Sequence, residues 1–529
     1  MDRCTLNIMD INDAFRSAYS TLVSKPSKIL PFYLMSVSVP AVLRVAPIIT
    51  GALVYFALLR RGNIDDITTA IEELPTEELQ NPGGFGNPGS PGTETGGIGG
   101  GFEGDAFGEV TELLGLIFVP EVIAIVAVSV IFFTLVSILL NAAVSAGQVN
   151  AIYSVLVGGE PVREGVEGLF SDSKAFAALL LLEAALLLGS TGFFLLIGAA
   201  VVGATGGAVA FLLGAAVVLG WLLAILVIHT LFIFAPQSVV IDERGAVGAV
   251  RGNVGFVLEN PVEFIAYVIF AFAALVAFAS VAGFLNVLGA PAAVSVLGFV
   301  LFTPFIGVVK TDMYTRYAGE EVSLSRDASL SLESLTTTLR RGWNETVSFT
   351  VSNLHLVAVS AVVFVGAGAA VWEYTIAAEV GIETSISERK EQLSPVGGFL
   401  NLAANNWSVA VAQSYAGFVF GFATLFSLLF NGAAIGFVAA TETNLPELIA
   451  FVIPHGVIEI PSLLISGALG IHLGLVAVRY VRGSLNVGDI TGEVERAYNV
   501  LIGLLLLFVI AGLIEGLFSP YYYEFLFDL

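Results

Sequence analysis

A histidine and a glutamate four residues apart, His455 and Glu459, sit inside an apolar run between Pro454 and Pro461. On a helix an i, i+4 pair lies on one face. Glu515 interrupts a later apolar run, and Asn405, Asn406 and Asn431 interrupt an earlier one. In a bilayer each such group must find a partner or carry a penalty of several kcal/mol. Three chemistries suit the set. The residues can form an internal hydrogen-bond network around a broken helix. They can bind a proton, an ion or a polar substrate, the default functional reading for intramembrane ionisable side chains. Or His455, Glu459 and Glu515 can supply the three protein ligands of a catalytic zinc. Against the last, there is no His-Glu-x-x-His pair. His472, 17 residues beyond His455, lies about 25 Å away along a continuous helix. No metal, cofactor or catalytic residue is therefore expected, and His229 and His355 read as packing or interface residues.

These polar groups stand out because the rest is so apolar. Of 529 residues, 56% are hydrophobic and 12% charged, and the mean hydropathy is +0.90, far above what a water-soluble core requires. Ten long apolar stretches appear, at about 29–59, 114–144, 174–203, 206–235, 262–288, 291–312, 351–379, 408–440, 446–482 and 497–518. A membrane-crossing helix needs about 20 such residues. The expected fold class is all-α: a polytopic integral membrane protein of about ten transmembrane helices, including broken or re-entrant segments where Gly, Pro or Asn interrupt the runs. Trp343, Trp372, Trp407 and Tyr521 to Tyr523 read as interface aromatics.

The charge balance is lopsided, with 44 acidic against 21 basic residues, a net charge of −23, and only five Lys. This makes nucleic acid an unlikely partner and suggests a surface kept hydrated in high salt, as in a halophilic archaeon. The single cysteine, Cys4, excludes an intramolecular disulfide and a cysteine-based zinc cluster. The first apolar run begins near Ile29 without a small-residue cleavage site, so no signal peptide is expected.

Lys and Arg cluster before the first stretch (Arg16, Lys25, Lys28) and after the second, fourth and sixth (Arg163, Arg251, Arg340). That pattern predicts a multi-pass protein of the cytoplasmic (plasma) membrane with its N-terminus in the cytoplasm. The alternate segment 62–108 has no Lys or Arg and is rich in Gly and Pro, which predicts a disordered external loop. Arg479 and Arg482 also read as cytoplasmic. If the helix from Ser408 ends on their side near Glu442, the stretch 445–482 must leave and return. A re-entrant half-helix breaking at Pro454-His455-Gly456 would do that, and a different split is the alternative.

A weak internal repeat accompanies the basic residues. Ala14-Phe-Arg16 and Ala249-Val-Arg251 are each followed ten residues after the Arg by Pro, at Pro26 and Pro261, and then by an apolar run. Arg163 and Arg340 hold comparable places. Each unit would be a short amphipathic helix at the interface, its Arg directed at headgroups, followed by a helical hairpin. Any juxtamembrane segment containing an Arg is the plainer explanation.

The C-terminal third carries the more specific pattern. The paired Asn405-Asn406 precede Gly417 and Gly421. Then come Asn431-Gly432, Pro454-His455-Gly456 with Glu459 and Pro461, a small-residue helix, and Ile514-Glu515-Gly516 ahead of Ser519-Pro520. In this order the set resembles the stage II sporulation protein M (SpoIIM) family over about 340–520. The stretch from Asp242 to Pro261 only loosely resembles uncharacterised prokaryotic membrane domains, including the one attached to some glycerophosphodiester phosphodiesterases. Family members are polytopic components of a complex with cell-wall hydrolases that drives membrane migration during engulfment, acting there as anchors.

Ser462, Ser466, Gly470 and Gly474 recur every four residues beyond Glu459, a ladder on which membrane helices approach closely. It turns His455 and Glu459 toward partner helices. Gly417 with Gly421, and Gly432 with Gly436, offer small faces in return, and Glu515 is the natural group to approach the pair. The expected organisation is an N-terminal six-helix membrane domain (1–318), a cytoplasmic amphipathic connector (319–350) and a SpoIIM-like domain (351–529). The resemblance implies a non-enzymatic membrane scaffold or assembly component in cell-envelope or membrane remodelling. Such a protein would contact the lipid bilayer and protein partners, with a homo-oligomer open. A transporter or lipid-handling protein is the alternative, and an intramembrane metalloenzyme the third reading. A scaffold predicts a dry, hydrogen-bonded cluster; a transporter predicts a cavity reaching His455 and Glu459; an enzyme needs His455, Glu459 and Glu515 to converge.

Overall fold

The computed structural model describes residues 11–73, 113–323, 331–378, 381–385 and 395–519. Most of the Gly- and Pro-rich loop, Pro520 and Tyr521 to Tyr523 lie outside the described residues; the loop's first part forms a helix, Asn63–Glu73. The described chain is all helical apart from one isolated bridge between Thr384 and Glu442. Among the described residues, ten helical stretches are long and apolar enough to cross a membrane. Large side chains such as Leu188, Phe211 and Val287 stand exposed on them, as suits contact with lipid. Proline opens many of these helices, at Pro26, Pro120, Pro261 and Pro291, where its missing N–H would have had no intrahelical partner.

By its internal contacts the chain forms two units, Leu43–Val136 and the rest. In the first, the Arg61 guanidinium pairs with Glu121 and Asn63 donates to the Leu116 carbonyl. The second holds everything described below.

Four helices carry the basic residues of the repeat: α1 (Ile11–Ser24), α2 (Pro161–Ser171), α3 (Ala246–Glu259) and α4 (Leu332–Ser352). Each is separated by one residue, Lys25, Asp172, Asn260 or Asn353, from the helix that follows, a short one (Pro26–Ser36) after α1 and a long one after α2, α3 and α4. Arg16, Arg163, Arg251 and Arg340 are exposed. Arg16 pairs with Asp13, and Arg163 with Glu160 and Glu167, all on the same helix or its first cap.

The C-terminal part alternates in direction through five helices: α5 (Leu354–Ala377), α6 (Pro395–Tyr415), α7 (Phe422–Thr441), α8 (Leu445–Val481) and α9 (Val487–Leu513), which continues into a π-helical turn at Ile514–Phe518. Close approaches give the directions. A Cβ at Gly432 would collide with the Phe364 carbonyl, and one at Gly436 with the Gly368 carbonyl, so α7 runs parallel to α5. Gly417 backs onto Gly470 and Gly421 onto Gly474, so the end of α6 runs with α8. Trp407 meets Leu501 while Gly512 and Gly516 abut Ala403 and Phe399, so α9 runs against α6.

This geometry corrects two expectations. First, the stretch 408–440 is two helices. It turns at Ala416–Gly421, where Phe420 (φ 53°) and Gly421 (φ 77°) both take the left-handed conformation that a right-handed helix cannot continue. Second, Pro454-His455-Gly456 does not break its helix. Both Pro454 and Pro461 lie inside one 37-residue helix capped at Asn444, whose side chain accepts from the Glu447 N–H. Because α6 and α7 form a hairpin, Glu442 returns to the level of Thr384: the Thr384 N–H donates to the Thr441 carbonyl at 2.8 Å, and the Thr443 N–H to the Thr384 carbonyl at 3.0 Å. The stretch 445–482 then needs to cross only once.

Candidate functional site

The polar residues singled out in the sequence come from four helices. Asn405 and Asn406 lie mid-way along α6, Asn431 mid-way along α7, His455 and Glu459 on α8, and Glu515 in the π-helical turn after α9. Gly516, next to Glu515, lets that turn press against the Phe399 backbone, which leaves no room for a Cβ. Such π-turns occur often at functional sites.

His455, Glu459 and Glu515 do converge. One donor atom from each lies within 4.8 Å of the others, and they are the one such group of three metal-ligating side chains among the described residues. His455 is 6% exposed. Its Nε2 is 3.8 Å from a Glu515 carboxylate oxygen, longer than a hydrogen bond, and its ring packs edge-on against Phe451. The His455 Nδ1 and the Glu459 Oε2 are buried without a hydrogen-bond partner among the described residues. Buried polar atoms are nearly always satisfied, and the Ser154, Ser360 and Tyr415 hydroxyls are other exceptions in this protein.

His455 and Glu459 also face a cavity of about 490 Å³ between α6, α7 and α8. Asn405, Asn406 and Asn431 join them in its lining; the remaining lining is almost wholly aliphatic, from Ile435 and Val438 on α7 to Leu445, Ile449 and Val452 on α8. The polar groups form one end. Helices rise 1.5 Å per residue, so His455 and Asn431 each lie about 15 Å from the ends of α8 and α7 at Leu445 and Thr441. The aliphatic residues fill the interval. No Lys or Arg lines the cavity.

The asparagines bond locally and leave the cavity open. Asn405 donates to the Asn406 carboxamide at 3.2 Å, and Asn431 donates to the Ser427 carbonyl at 2.7 Å on its own helix. These are local bonds around an open space beside an unbroken helix.

The small-residue ladder packs as well. Ser462, Ser466, Gly470 and Gly474 are all buried. Gly417 and Gly421 meet this ladder, whereas Gly432 and Gly436 face α5. Sequence reasoning missed the polar clasp beside it. The Gln413 amide donates to the Leu463 carbonyl (2.9 Å) and the Ser466 hydroxyl (2.8 Å). Ser414 donates to the Ser466 carbonyl and Thr424 to the Gln413 carbonyl. A Gln-Ser pair inside a long apolar run was the available signal. Trp407, expected at the interface, is buried instead, its Nε1–H donating to the Leu501 carbonyl at 2.9 Å. His229 and His472 pair with Glu183 and Glu493, at 2.8 and 2.9 Å, while His355 is exposed.

Every residue lining the cavity, and Glu515 behind it, falls in one stretch of chain. Residues 355–520 match the stage II sporulation protein M family. Two relatives are from Methanocaldococcus jannaschii. The uncharacterized protein MJ0793 is 26% identical over 126 residues, 23% of this chain and 71% of its own length. The uncharacterized protein MJ0706 is 26% identical over 115 residues, 21% of this chain and 51% of its own length. No solved structure matches. The part of the chain that resembles this family is thus the part that carries the site.

Proposed function

We propose that this chain is a membrane-remodelling protein of the SpoIIM type whose C-terminal domain handles a lipid or similar amphiphile. The cavity carries this reading: about 490 Å³, one end lined by three carboxamides, His455 and Glu459, the other by aliphatic side chains. Ligand pockets of this size pair apolar walls with a few placed polar groups. An amphiphile matches that division, its polar end at the asparagines and its chain along Val438, Ile449 and Val452.

In this reading the protein sits in the plasma membrane with its N-terminus in the cytoplasm. Six crossings bring α4 back to that side, and the four alternating helices α5 to α8 put Arg479 and Arg482 there too, as the bias of basic residues toward the cytoplasm requires. The basic residues Arg16, Arg163, Arg251 and Arg340 then share one leaflet's headgroups.

The test is a photoactivatable phospholipid in vesicles containing the full chain. Cross-linked peptides should map to 431–463. Ala434→Trp, at an exposed position lining the cavity, should lower that cross-linking about tenfold while the protein stays folded. Unchanged cross-linking overturns the reading. A second reading, a passive scaffold in a protein complex, rests on the family match; it is favoured if Ala434→Trp leaves lipid contact intact and partners still co-purify.

A further inference from the structure

The geometry points to a divalent transition-metal site, zinc being the best fit, built by one imidazole nitrogen of His455 and the carboxylates of Glu459 and Glu515, with its open position toward the cavity. This deepens the reading of the same cavity as a ligand site and does not depend on lipid being the occupant.

Four observations carry it. The first is convergence: one donor atom from each of the three lies within 4.8 Å of the others, and the His455–Glu515 pair is already at 3.8 Å. Donors about 2.0–2.1 Å from a tetrahedral zinc lie about 3.4 Å apart, so the site needs to tighten by less than a rotamer change. The second is the orphaned Glu459 Oε2, a buried carboxylate atom for which the described residues supply no hydrogen-bond partner. The third is electrostatic. A bound cation would neutralise two carboxylates held this close in a membrane interior, and no Lys or Arg lines the cavity that Glu459 faces. The fourth is the backbone: Glu515 is aimed by a π-helical turn that Gly516 allows to seat against Phe399.

The donor set chooses among ions. One imidazole with two carboxylates is a nitrogen–oxygen set that suits zinc and its first-row neighbours, whereas Mg²⁺ and Ca²⁺ prefer oxygen alone. Three protein ligands with a fourth position open is the pattern of a zinc that polarises a bound group, as distinct from a closed structural site. His455 and Glu459 line the cavity and Glu515 does not, so the open position looks toward Asn405, Asn406 and Asn431. A phosphate or carboxylate headgroup held there would meet the metal and the three carboxamides together. The other two paired histidines have one acidic partner each, at Glu183 and Glu493, and form no comparable group.

The test uses the full chain in detergent with any affinity tag removed, loaded with Zn²⁺, desalted and measured by elemental mass spectrometry. About one zinc per chain is expected, retained against a large excess of Mg²⁺. His455→Ala and Glu515→Gln should each weaken zinc binding by well over tenfold, the scale on which even outer-shell partners matter. X-ray absorption at the zinc edge should show one imidazole and oxygen donors. Ala434→Trp should leave the zinc in place while blocking lipid, so the two readings fail separately. Absence of stoichiometric zinc in the wild type overturns the proposal. So does retention of zinc by the folded Glu515→Gln variant, or a zinc shell without imidazole. If His455→Ala fails to fold, Glu515→Gln and the absorption spectrum decide.

Discussion

The position of α7, and with it one wall of the cavity, depends on two glycines. At Gly432 and Gly436 the backbone of α7 approaches the Phe364 and Gly368 carbonyls of α5 so closely that a Cβ at either would lie well inside van der Waals contact. The obstacle is backbone, which cannot swing away as a side chain can. Gly436→Ala therefore forces the two helices apart by about 1 Å, and a gap of that size forfeits a quarter to a half of the dispersion energy at each affected contact. Overpacking of this kind costs about 1–3 kcal/mol. Gly366→Ala is the matched control: it lies on the same α5, with nothing within 4 Å of its would-be Cβ. There the loss of backbone freedom in the unfolded chain makes alanine neutral or stabilising by up to about 1 kcal/mol. The double variant Gly432→Ala/Gly436→Ala should cost less than the sum of its parts, because the first methyl already opens the gap that the second needs. Equilibrium unfolding in mixed micelles by a denaturing detergent, followed by tryptophan fluorescence, reads the wild type, Gly432→Ala, Gly436→Ala, the double variant and Gly366→Ala. Equal stability of Gly436→Ala and Gly366→Ala, or a strictly additive double variant, would refute the close-approach argument.

Two further outcomes follow from the same helices. Trp407→Phe keeps the ring beside Phe299 but removes the donor to the buried Leu501 carbonyl; it should destabilise by about 1–3 kcal/mol in the same unfolding assay, and a neutral result would mean that carbonyl finds another donor. With Cys4 replaced by Ser, single cysteines at Thr384 and Glu442 should react with a membrane-impermeant maleimide from the same side of sealed vesicles, because their backbones pair; labelling from opposite sides would show that α6 and α7 do not form a hairpin.

The ten apolar stretches were legible because apolar length is what a bilayer selects for, and their ends agree with the helices to within a few residues at most places. Helix α6 was not, and for a physical reason. It carries Asn401, Asn405, Asn406, Gln413 and Ser414, so its hydropathy falls below that of its neighbours, and it packs on α8 and α9 while α5 and α7 pack directly on each other. Its second half therefore reads as part of the α7 run, and with the turn at Ala416–Gly421 hidden, 445–482 reads as a segment that must leave and return. The prolines looked like a break because each removes a backbone N–H and crowds the preceding turn. In α8 that crowding is absorbed within a continuous helix. The approach of Glu515 to His455 was legible from the order of motifs, while the cavity was not: it is a volume left between three helices, and no spacing along one chain encodes it.

The coincidence of the family match with the site bears on what the rest of the chain does. Asn405, Asn406, Asn431, His455, Glu459 and Glu515 all lie within 355–520, and the preceding helices contribute none of the cavity's lining. They do touch its supports. The Ala292 N–H donates to the Asn401 carboxamide at 2.9 Å, one turn before Asn405 on α6. Phe299 packs its ring, tilted by 31°, at 5.9 Å from that of Trp407, one residue after Asn406. Lys28 pairs with Glu495 at 2.8 Å, on the helix that leads to Glu515. Each contact falls on α6 or α9, the two helices that carry polar site residues without belonging to the α7–α8 wall. A helix whose own sequence is too polar to be held by lipid alone needs protein on its far side, and Ala292 and Phe299 supply it. The N-terminal helices then act on the site by bracing α6, so a loosening at Ala292 or Phe299 should be felt first at Asn405 and Asn406.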